Sequence, residues 1–350
     1  MSPRLPVVLL LALALAVPAA ALPSAPSVLV LGDSYASGEG LPTAEGPCGT
    51  ETERSWGALV AEGLGAGDLQ LLACSGAEVA DVTTGGPLGR PAQLAEATSA
   101  DLVFLTLAGN DLGFVDIVAD CLGFAELTES PTTEALQDGG WTELVTSGEV
   151  DRGCDVSQAE LLDRVEAFAA DDRFPLSDGS SGSLSDVYVD VARATVADGG
   201  RLVVVGYPAL FAEVARWPDR YVRRCHGLRD VDAQSLARVV VALDDQVAAA
   251  VSPANAALGS EVVQHVSVLA AFDGTSTGED HRLCGGGEPW MNGLTVVEGG
   301  INVVELLTQL GVGAGGVDLE AIGARPGGSF HPSTAGHEGI AATVLEAVGG

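Results

Sequence analysis

Short hydrophobic runs alternate with amphipathic segments along most of the chain. The hydrophobic runs are rich in β-branched residues and bounded by turn residues, which predicts strands buried on both faces; they are residues 28–31, 69–73, 102–107, 202–206 and 262–269. Helical periodicity lies between and after them, at residues 56–64, 91–97, 112–121, 161–169, 186–197, 232–251 and 334–348. This alternation predicts an α/β fold, a three-layer α/β/α sandwich around a five-stranded parallel sheet.

The segment from residue 124 to residue 182 is too long to be an ordinary connection between two of these elements. We expect it to be an insertion with helices of its own, near the mouth of a site. Patches rich in glycine and serine elsewhere are flanked by apolar segments and predict surface loops, so no linker divides the chain. Residues 22–350 are therefore predicted to form a single domain.

The first residues are typical of an export signal. Arg4 is followed by an apolar run over residues 5–17 and by alanines at 19–21, the small-residue pattern of a signal peptidase site. We expect residues 1–21 to be removed and the mature chain to begin near Leu22, which predicts a secreted protein without stable membrane insertion. The alternative interpretation is an N-terminal anchor that is not cleaved.

Acidic residues dominate the charged positions. The chain has 48 aspartates and glutamates against 16 arginines and no lysine, and its formal net charge is −32. Such a surface repels nucleic acid and anionic membranes, so a nucleic-acid partner is excluded. Two explanations of the excess stay open: adaptation to saline surroundings, where salt screens the self-repulsion, and genome composition.

Six cysteines, an even number in a chain predicted to be exported, favour disulfides over metal or redox chemistry. None belongs to a C-x-x-C pair, and six cysteines leave 15 connectivities open. The simplest scheme pairs neighbours in sequence: Cys48 with Cys74, Cys121 with Cys154, and Cys225 with Cys284. Each pair closes a loop of tens of residues and contributes roughly 3 to 4 kcal/mol in the chain-entropy model.

The most informative stretch is LVLGDSYASGEG, residues 29–40, in which a buried strand ends in a glycine-rich turn carrying Ser34. Ligands of open α/β sheets bind beyond the carboxyl ends of the strands, so this serine lies where a substrate can reach a nucleophile. Glycines at positions 32, 38 and 40 permit backbone conformations closed to other residues and let main-chain N–H groups approach an oxyanion. Asp33 is expected to bond the backbone of the turn, and a plain turn is the alternative interpretation of the whole segment.

Three further segments follow strand ends at the same predicted edge of the sheet. They carry Gly76 in ACSGA, Asn110 in GND and His331 in SFHP. A serine hydroxyl is a weak nucleophile until a base accepts its proton, and the imidazole of His331 can accept that proton and return it to a leaving alkoxide. The tetrahedral oxyanion needs fixed donors, and the candidates are the N–H groups of Ser34 and Gly76 and the side-chain amide of Asn110.

The four blocks GDSYASGEG, ACSGAEVADV, LAGND and SFHPSTAGH resemble, in this order, the Ser, Gly, Asn and His blocks of the SGNH hydrolases, also called GDSL-type esterases and lipases. The segments RLVVVGYPALF, HRLC and EPWMNGL are similar to those of secreted actinobacterial members. The resemblance implies a flavodoxin-like α/β/α fold and hydrolysis of carboxylic esters. It implies Ser34 as the nucleophile and His331 as the general base, with Gly76 and Asn110 in the oxyanion hole. The resemblance to that branch also implies the sequential disulfide pairing.

One position departs from the family pattern. Many members have an aspartate three residues before the histidine, where this chain has Gly328. We therefore predict a Ser–His dyad in which a main-chain carbonyl, that of Gly328, accepts the hydrogen bond from the imidazole N–H. A carboxylate beside His331 would contradict this prediction, and the candidates for it are Asp273 and Asp280.

Other interpretations compete with parts of this assignment. An asparagine at position 110 is also typical of a turn or a helix N-cap. A glycine at position 76 is also explained by a tight turn after Cys74, with no role in binding an oxyanion. Trp290 is interpreted as a packing residue of a loop. The histidines outside the four blocks are interpreted as structural or surface residues: His226, His265, His281 and His337.

The predicted function is that of a secreted serine hydrolase acting on a small-molecule or lipid ester. The alternatives are a polysaccharide deacetylase of the same fold and a noncatalytic secreted module that binds glycan or lipid. The sequence contains no D-x-[DN]-x-[DN]-G loop, so we expect no metal ion, and we expect no cofactor. We also expect a monomer.

Overall fold

The central sheet has the order and direction of a doubly wound α/β protein. The computed structural model describes residues 25–86, 88–121, 154, 158–169, 173–217, 224–225, 228–293, 296–297, 300–301 and 328–349. Its five parallel strands are β1 (Ser27–Gly32), β2 (Asp68–Leu71), β3 (Ala100–Thr106), β4 (Val196–Val205) and β5 (Val263–Val266), in the spatial order β2-β1-β3-β4-β5. This is the flavodoxin-like order, so the predicted fold class is confirmed.

Each of the five predicted apolar runs lies on one strand of this sheet, and the ends of two strands differ from the prediction. Strand β4 begins at Val196, earlier than the apolar run, because its first residues pair with the start of β3 before a register shift. Strand β5 ends at Val266, earlier than predicted, because a short helix begins at Leu269. The interiors of β1 and β3 are buried on both faces, as their continuous apolar runs predict. The edge strands β2 and β5 are only partly buried.

All seven predicted helices are present, and short helices at the strand ends add to them. The helices are α1 (Ser34–Ser37), α2 (Trp56–Gly63), α3 (Val79–Thr83), α4 (Gln93–Glu96), α5 (Phe114–Cys121), α6 (Gln158–Ala169), α7 (Leu184–Thr195), α8 (Asp230–Ala249), α9 (Val251–Leu258), α10 (Leu269–Phe272) and α11 (Thr334–Gly349). A 3₁₀ turn covers Val214–Arg216. The helices that the apolar pattern did not predict are α1, α3, α9 and α10.

Helices cover both faces of the sheet. Helices α2, α10 and α11 pack together on one face, and α3, α4, α7 and α9 pack together on the other. On the first face the Trp56 ring of α2 meets the Phe104 ring of β3 edge to face, with centroids 5.6 Å apart. Both side chains are essentially inaccessible to solvent, so the core reaches the strands that carry the site.

The cysteines form the three disulfides of the sequential scheme. The bonded pairs are Cys48–Cys74, Cys121–Cys154 and Cys225–Cys284. The first of these joins the loop after α1, eight residues beyond the Ser block, to Cys74 of the Gly block. The predicted pairing is confirmed.

Two predictions lie partly or wholly outside the described residues. The export signal at residues 1–21 lies outside them. Of the insertion at residues 124–182, the structure describes Cys154, helix α6 and a short antiparallel pair, Phe174–Pro175 with Ser181–Gly182. Helix α6 packs along α8.

Among the described helices, none combines the length and the apolar character that crossing a bilayer requires.

Candidate active site

The Ser block turns sharply at the carboxyl end of β1. Gly32 has a φ of 122°, and a Cβ added to it would lie 1.9 Å from the Thr106 carbonyl oxygen of β3, so only glycine fits there. The Asp33 N–H donates to that same carbonyl at 3.0 Å, and the Asp33 carboxylate accepts the Tyr35 N–H at 3.0 Å. Asp33 thus bonds the backbone of the turn, as predicted, and caps the helix whose first residue is Ser34.

Gly76 forms the corner of a tight turn after β2. The Ala77 N–H donates to the Cys74 carbonyl at 3.0 Å, and Gly76 occupies the third position of that turn with a φ of 76°. A type II turn needs a positive φ at this position, which glycine adopts without strain. The Cys74 N–H donates to the Gly32 carbonyl at 3.0 Å, so the turn is joined directly to the end of β1.

Asn110 follows β3 and is joined to the Gly block. Its side-chain Nδ2 donates to the Ala77 carbonyl at 2.9 Å, which holds the amide beside the Gly76 turn. Ala108, two residues earlier, has a φ of 98°, an uncommon conformation for a residue with a Cβ. Backbone strain of this kind persists only where the surrounding structure imposes it, and it clusters at functional sites.

Three hydrogen-bond donors are available at this edge of the sheet. Neither the Ser34 N–H nor the Gly76 N–H donates to another described residue. The Asn110 amide has two hydrogens, and its bond to Ala77 uses one of them. Fixed donors of this kind, aimed at a position where negative charge develops, are what stabilises the oxyanion of acyl transfer.

His331 packs against the Ser block through its ring and its backbone. The Tyr35 hydroxyl donates to the Phe330 carbonyl at 2.6 Å, and the rings of Tyr35 and His331 have centroids 4.9 Å apart. A Cβ added to Gly40 would lie 2.9 Å from the His331 Cβ, so glycine is needed for this close approach. The structure therefore places His331 beside Tyr35, the residue that follows Ser34.

The carbonyl that orients the imidazole belongs to Ser329. His331 Nδ1 lies 2.9 Å from the Ser329 carbonyl oxygen, so the prediction that the Gly328 carbonyl accepts this bond is wrong. The Gly328 carbonyl is occupied, because it accepts the backbone N–H of His331 at 3.1 Å and closes a tight turn. A main-chain carbonyl does accept the ring N–H, one residue nearer to the histidine than predicted.

The two candidate carboxylates are engaged elsewhere. The Asp280 carboxylate accepts from the Arg282 guanidinium at 2.8 Å, and the Asp273 carboxylate accepts the Thr275 N–H at 2.7 Å. Among the described residues, the bond of the His331 ring through Nδ1 goes to a carbonyl and not to a carboxylate. The orienting partner of the ring is therefore a main-chain carbonyl, and the Ser–His dyad stays a prediction.

The other ring nitrogen of His331, Nε2, is buried and has no hydrogen-bond partner in the described part of the chain. The bond between His331 and the Ser34 hydroxyl is therefore not formed, and the role of His331 as a base stays a prediction. Catalytic hydrogen bonds are often long or poorly aligned before substrate binds. Burial lowers the pKa of His331, which keeps Nε2 unprotonated and able to accept a proton.

Two buried carboxyl groups at this edge hold their protons near neutrality. Burial raises the pKa of Asp33 and of Asp111, each to about 7. The Asp111 carboxylate accepts the Val79 N–H, with its two oxygens 3.0 and 3.1 Å from the nitrogen. At or below neutral pH a fraction of each group is uncharged, which reduces the repulsion that a negative substrate oxygen meets there.

Asn292 is a positioning residue that the sequence analysis did not single out. It forms two backbone hydrogen bonds with the His block: its N–H donates to the His331 carbonyl at 2.8 Å, and its carbonyl accepts the Phe330 N–H at 3.0 Å. Its side-chain amide donates to the Gly40 carbonyl at 2.9 Å. Asn292 thus connects the His block to the Ser block, and its segment EPWMNGL was the available signal.

Tyr207 is a second residue that the sequence analysis missed. It follows β4 and is 6% exposed, and its hydroxyl lies between the Ser block and the Asn block. Its segment RLVVVGYPALF was already noted as similar to secreted actinobacterial members.

In the part of the chain that the structure describes, no group of three or more His, Cys, Asp or Glu residues is arranged to hold a metal ion.

Comparison with known proteins is informative at the level of structure. No protein-family model matches the chain, and neither does any curated protein. Phospholipase A1 from Streptomyces albidoflavus NA297 is similar in structure, with a TM-score of 0.55 and 23% sequence identity over 92% of this chain and 99% of that protein. An extracellular lipase from Streptomyces rimosus is similar to the same degree, with a TM-score of 0.55 and 21% identity over 92% of this chain and 100% of the lipase. The chain therefore shares the α/β fold of these two proteins, the fold class that its sequence predicted.

Proposed function

We propose that this protein is a secreted serine hydrolase that cleaves carboxylic esters through an acyl-enzyme on Ser34. The observation that carries the proposal is the set of contacts that joins the four sequence blocks at one sheet edge. There the N–H groups of Ser34 and Gly76 have no acceptor among the described residues, and the Asn110 amide has one hydrogen to spare. A noncatalytic module has no need for such donors beside a buried imidazole with a free lone pair. The Streptomyces lipase and phospholipase share the fold, which supports the same class of chemistry.

The reaction follows from the chemistry of these groups. The Ser34 hydroxyl oxygen attacks the ester carbonyl carbon while Nε2 of His331 accepts the hydroxyl proton. The negative oxygen of the tetrahedral intermediate accepts hydrogen bonds from the Ser34 N–H, the Gly76 N–H and the Asn110 amide. His331 then gives its proton to the leaving alkoxide, the C–O bond of the ester breaks, and an acyl-serine remains. Water, deprotonated by the same imidazole, hydrolyses the acyl-serine and restores the hydroxyl.

The Ser329 carbonyl serves this cycle by holding the His331 ring. It accepts the Nδ1 hydrogen and so leaves the lone pair on Nε2, the atom that receives the serine proton. As a neutral acceptor it stabilises the imidazolium less than an aspartate would. A rotation of the Ser34 side chain or of the ring completes the Ser–His bond when substrate enters.

Secretion is part of the same proposal. Three disulfides are typical of proteins that fold outside the reducing cytosol, and one of the structural neighbours is an extracellular lipase. The predicted signal at residues 1–21 supplies the route of export.

The test is hydrolysis of aryl esters of increasing acyl chain length by the wild-type protein and by Ser34→Ala. We expect the wild type to hydrolyse part of this series and Ser34→Ala to lose the activity. A fluorophosphonate probe should label the wild type on Ser34 and leave the variant unlabelled. Ser235→Ala is a matched control, because Ser235 is nearly buried on α8 and its hydroxyl donates to the Val231 carbonyl at 2.8 Å.

The same series separates the alternatives within the fold. A preference for long acyl chains identifies a lipase, and a preference for acetyl groups, extended to acetylated polysaccharide, identifies a deacetylase. Ester hydrolysis by Ser34→Ala at the wild-type rate would remove the assignment of the nucleophile. Absence of both hydrolysis and probe labelling in the wild type would favour the noncatalytic module.

A further inference from the structure

Tyr207 makes one hydroxyl serve two of the four blocks. This oxygen donates its hydrogen to the Asp33 carboxylate. The same oxygen accepts the backbone N–H of Gly109 at 2.8 Å. A Cβ added to Gly109 would lie 2.9 Å from the hydroxyl oxygen and 3.0 Å from the ring carbon that carries it, so the contact requires glycine at position 109.

Both partners of this hydroxyl are direct neighbours of reacting groups. Asp33 precedes the nucleophile Ser34 in the chain, and Gly109 precedes Asn110, whose amide is the side-chain donor proposed for the oxyanion. The hydroxyl of Tyr207 therefore sets the distance between the turn that carries the nucleophile and the turn that carries the amide. Tyr207 lies two residues beyond the end of β4, close to where the sheet fixes the chain.

The ring of Tyr207 is held in place independently of its hydroxyl. It meets the Tyr35 ring edge to face, with centroids 5.1 Å apart and an interplanar angle of 84°. The Tyr35 ring in turn lies against the ring of His331. A change that removes only the hydroxyl leaves this aromatic packing in place, which makes the hydrogen bonds separately testable.

Burial makes the hydroxyl a reliable donor. Burial and the neighbouring Asp33 charge raise the pKa of Tyr207 well above its usual value, so the phenol keeps its hydrogen throughout the pH range of ester hydrolysis. If the hydroxyl is removed, the Gly109 N–H and one Asp33 oxygen lose their partner inside the protein. A buried polar group without a partner relaxes toward another acceptor or toward water, and the turn that carries it moves.

We propose that Tyr207 is a positioning residue for ester hydrolysis, acting through Gly109 to hold the Asn110 amide on the oxyanion. The inference rests on the proposed function, in which Ser34 is the nucleophile and Asn110 is a donor to the oxyanion. It adds a fifth block to the four that define the site. The described contacts of Tyr207 are with Asp33, Gly109 and the Tyr35 ring, so we expect its effect to reach kcat through Asn110.

A double-mutant cycle with Tyr207→Phe and Asn110→Ala tests this. Asn110→Ala alone should lower kcat by about 10²- to 10³-fold, the loss typical of one oxyanion donor. Tyr207→Phe alone should lower kcat by about 10- to 100-fold with little change in KM, because misplacing a reacting group by a fraction of an ångström costs rate and not ground-state binding. In the Asn110→Ala background, Tyr207→Phe should change kcat little, because the group through which it acts is already gone.

Tyr188→Phe is the matched control. Tyr188 is as deeply buried on α7, and its hydroxyl lies 3.5 Å from the Val247 carbonyl, away from the four blocks. Removing this hydroxyl should affect the free energy of unfolding and leave kcat at the wild-type value. All rates are referred to the folded fraction, measured by fluorophosphonate titration of Ser34.

A second variant covers the case in which Tyr207→Phe does not fold. Asp33→Asn keeps an oxygen for the Tyr35 N–H but presents an NH₂ group to the Tyr207 hydroxyl, which then has no acceptor for its hydrogen. We expect the same pattern, a lower kcat that is not lowered further in the Asn110→Ala background.

The outcomes separate this inference from the proposed function. If Ser34→Ala and Asn110→Ala abolish or reduce hydrolysis while Tyr207→Phe has the wild-type kcat, the positioning role is wrong and the proposed function stands. If the effects of Tyr207→Phe and Asn110→Ala multiply, Tyr207 supports the fold in general and does not act through Asn110. If hydrolysis does not depend on Ser34, the proposed function itself fails.

Discussion

Two histidines near the C-terminus, His331 and His337, each have a buried Nε2 and have different surroundings. Burial lowers the pKa of each, and a hydrogen bond with the Glu39 backbone opposes this shift in His337. His331 precedes helix α11 and packs on the Ser block, whereas His337 lies inside α11 and is completely inaccessible to solvent. The difference between them lies in what contacts Nδ1.

The partner of Nδ1 determines which nitrogen carries the hydrogen. The carbonyl of Ser329 can only accept, so His331 must hold its hydrogen on Nδ1 and its lone pair on Nε2. The backbone N–H of Trp56 can only donate, and it points at Nδ1 of His337 at 3.2 Å, so His337 must hold its hydrogen on Nε2. The two rings are therefore opposite tautomers, and only His331 presents a lone pair at Nε2. In each ring, one backbone group on the Nδ1 side thus determines whether Nε2 carries a lone pair or a hydrogen.

The largest effect expected from this comparison is that of His331→Gln on the rate. Glutamine is close to histidine in size but cannot accept a proton at neutral pH, so we expect kcat/KM to fall by about 10²- to 10⁴-fold, the usual contribution of general acid–base catalysis. The melting temperature should change little. His337→Gln is the matched control, and its kcat/KM at pH 8 should stay close to the wild-type value. Equal rate losses in the two variants would remove the distinction between the two histidines.

The second effect is that of His337 on the pH dependence of stability. Burial lowers the pKa of His337 to about 4, whereas in the unfolded chain the value is 6.5. A depressed folded-state pKa contributes stability that is present above pH 6.5 and is lost as the pH falls from 6.5 to 4. The full loss corresponds to about 3 kcal/mol, since each pKa unit is worth about 1.4 kcal/mol. The difference in free energy of unfolding between His337→Gln and the wild type, from urea titrations across this range, should therefore shift in favour of the variant by up to about 3 kcal/mol as the pH falls.

Asp33 and Asp111 act in the opposite direction over the same range. Their folded-state pKa of about 7 lies above the value of 3.8 in the unfolded chain, so they contribute stability at low pH that is lost as the pH rises through 7. Each carboxyl is shifted by about 3 pKa units, so the two together outweigh the single histidine in the wild type. In His337→Gln this histidine no longer opposes them, and the urea midpoint should rise more as the pH falls from 6.5 to 4.5 than it does in the wild type. The same pH dependence in both proteins would show that His337 is not the group responsible.

The fold and the four blocks could be predicted from the sequence because each depends on a local pattern. Apolar runs bounded by turns predict buried parallel strands, and chain direction alone brings the carboxyl ends of those strands to one edge. The short helices α3 and α10 could not be predicted from this pattern, because four or five residues are too few to show helical periodicity. Their positions depend on the sheet edge against which they pack.

The details of hydrogen bonding could not be predicted, since they depend on turns with uncommon backbone angles. Phe330 has a φ of 61°, a conformation that its own residue type does not suggest, and it lies between Ser329 and the ring that this carbonyl orients. The choice between the carbonyls of Gly328 and Ser329 is made by that turn. The role of Tyr207 was hidden for a different reason: its partners lie more than ninety residues away along the chain.

The smallest perturbation, and the most direct test of the comparison, is observation of the two tautomers in the wild-type protein. In a neutral imidazole the nitrogen that carries hydrogen and the nitrogen that carries a lone pair have well-separated ¹⁵N chemical shifts. At pH 8 both rings are neutral, because burial depresses both pKa values. We expect the hydrogen-bearing shift at Nδ1 in one ring and at Nε2 in another, with assignment by loss of the signals in His331→Gln and His337→Gln.

The control is titration with a fluorophosphonate that phosphonylates Ser34. Once the adduct has lost its alkoxy group, its anionic phosphonate oxygen should favour protonation of His331, so that the two ring nitrogens become alike. The shifts of His337 should stay in place, because its ring faces the Trp56 backbone. If His331 instead carries its hydrogen on Nε2 in the free protein, the Ser329 carbonyl is not its partner in solution and the ring cannot take the serine proton without first rearranging. That result would also make the two histidines equivalent, and the proton acceptor would have to be sought elsewhere at the same edge of the sheet.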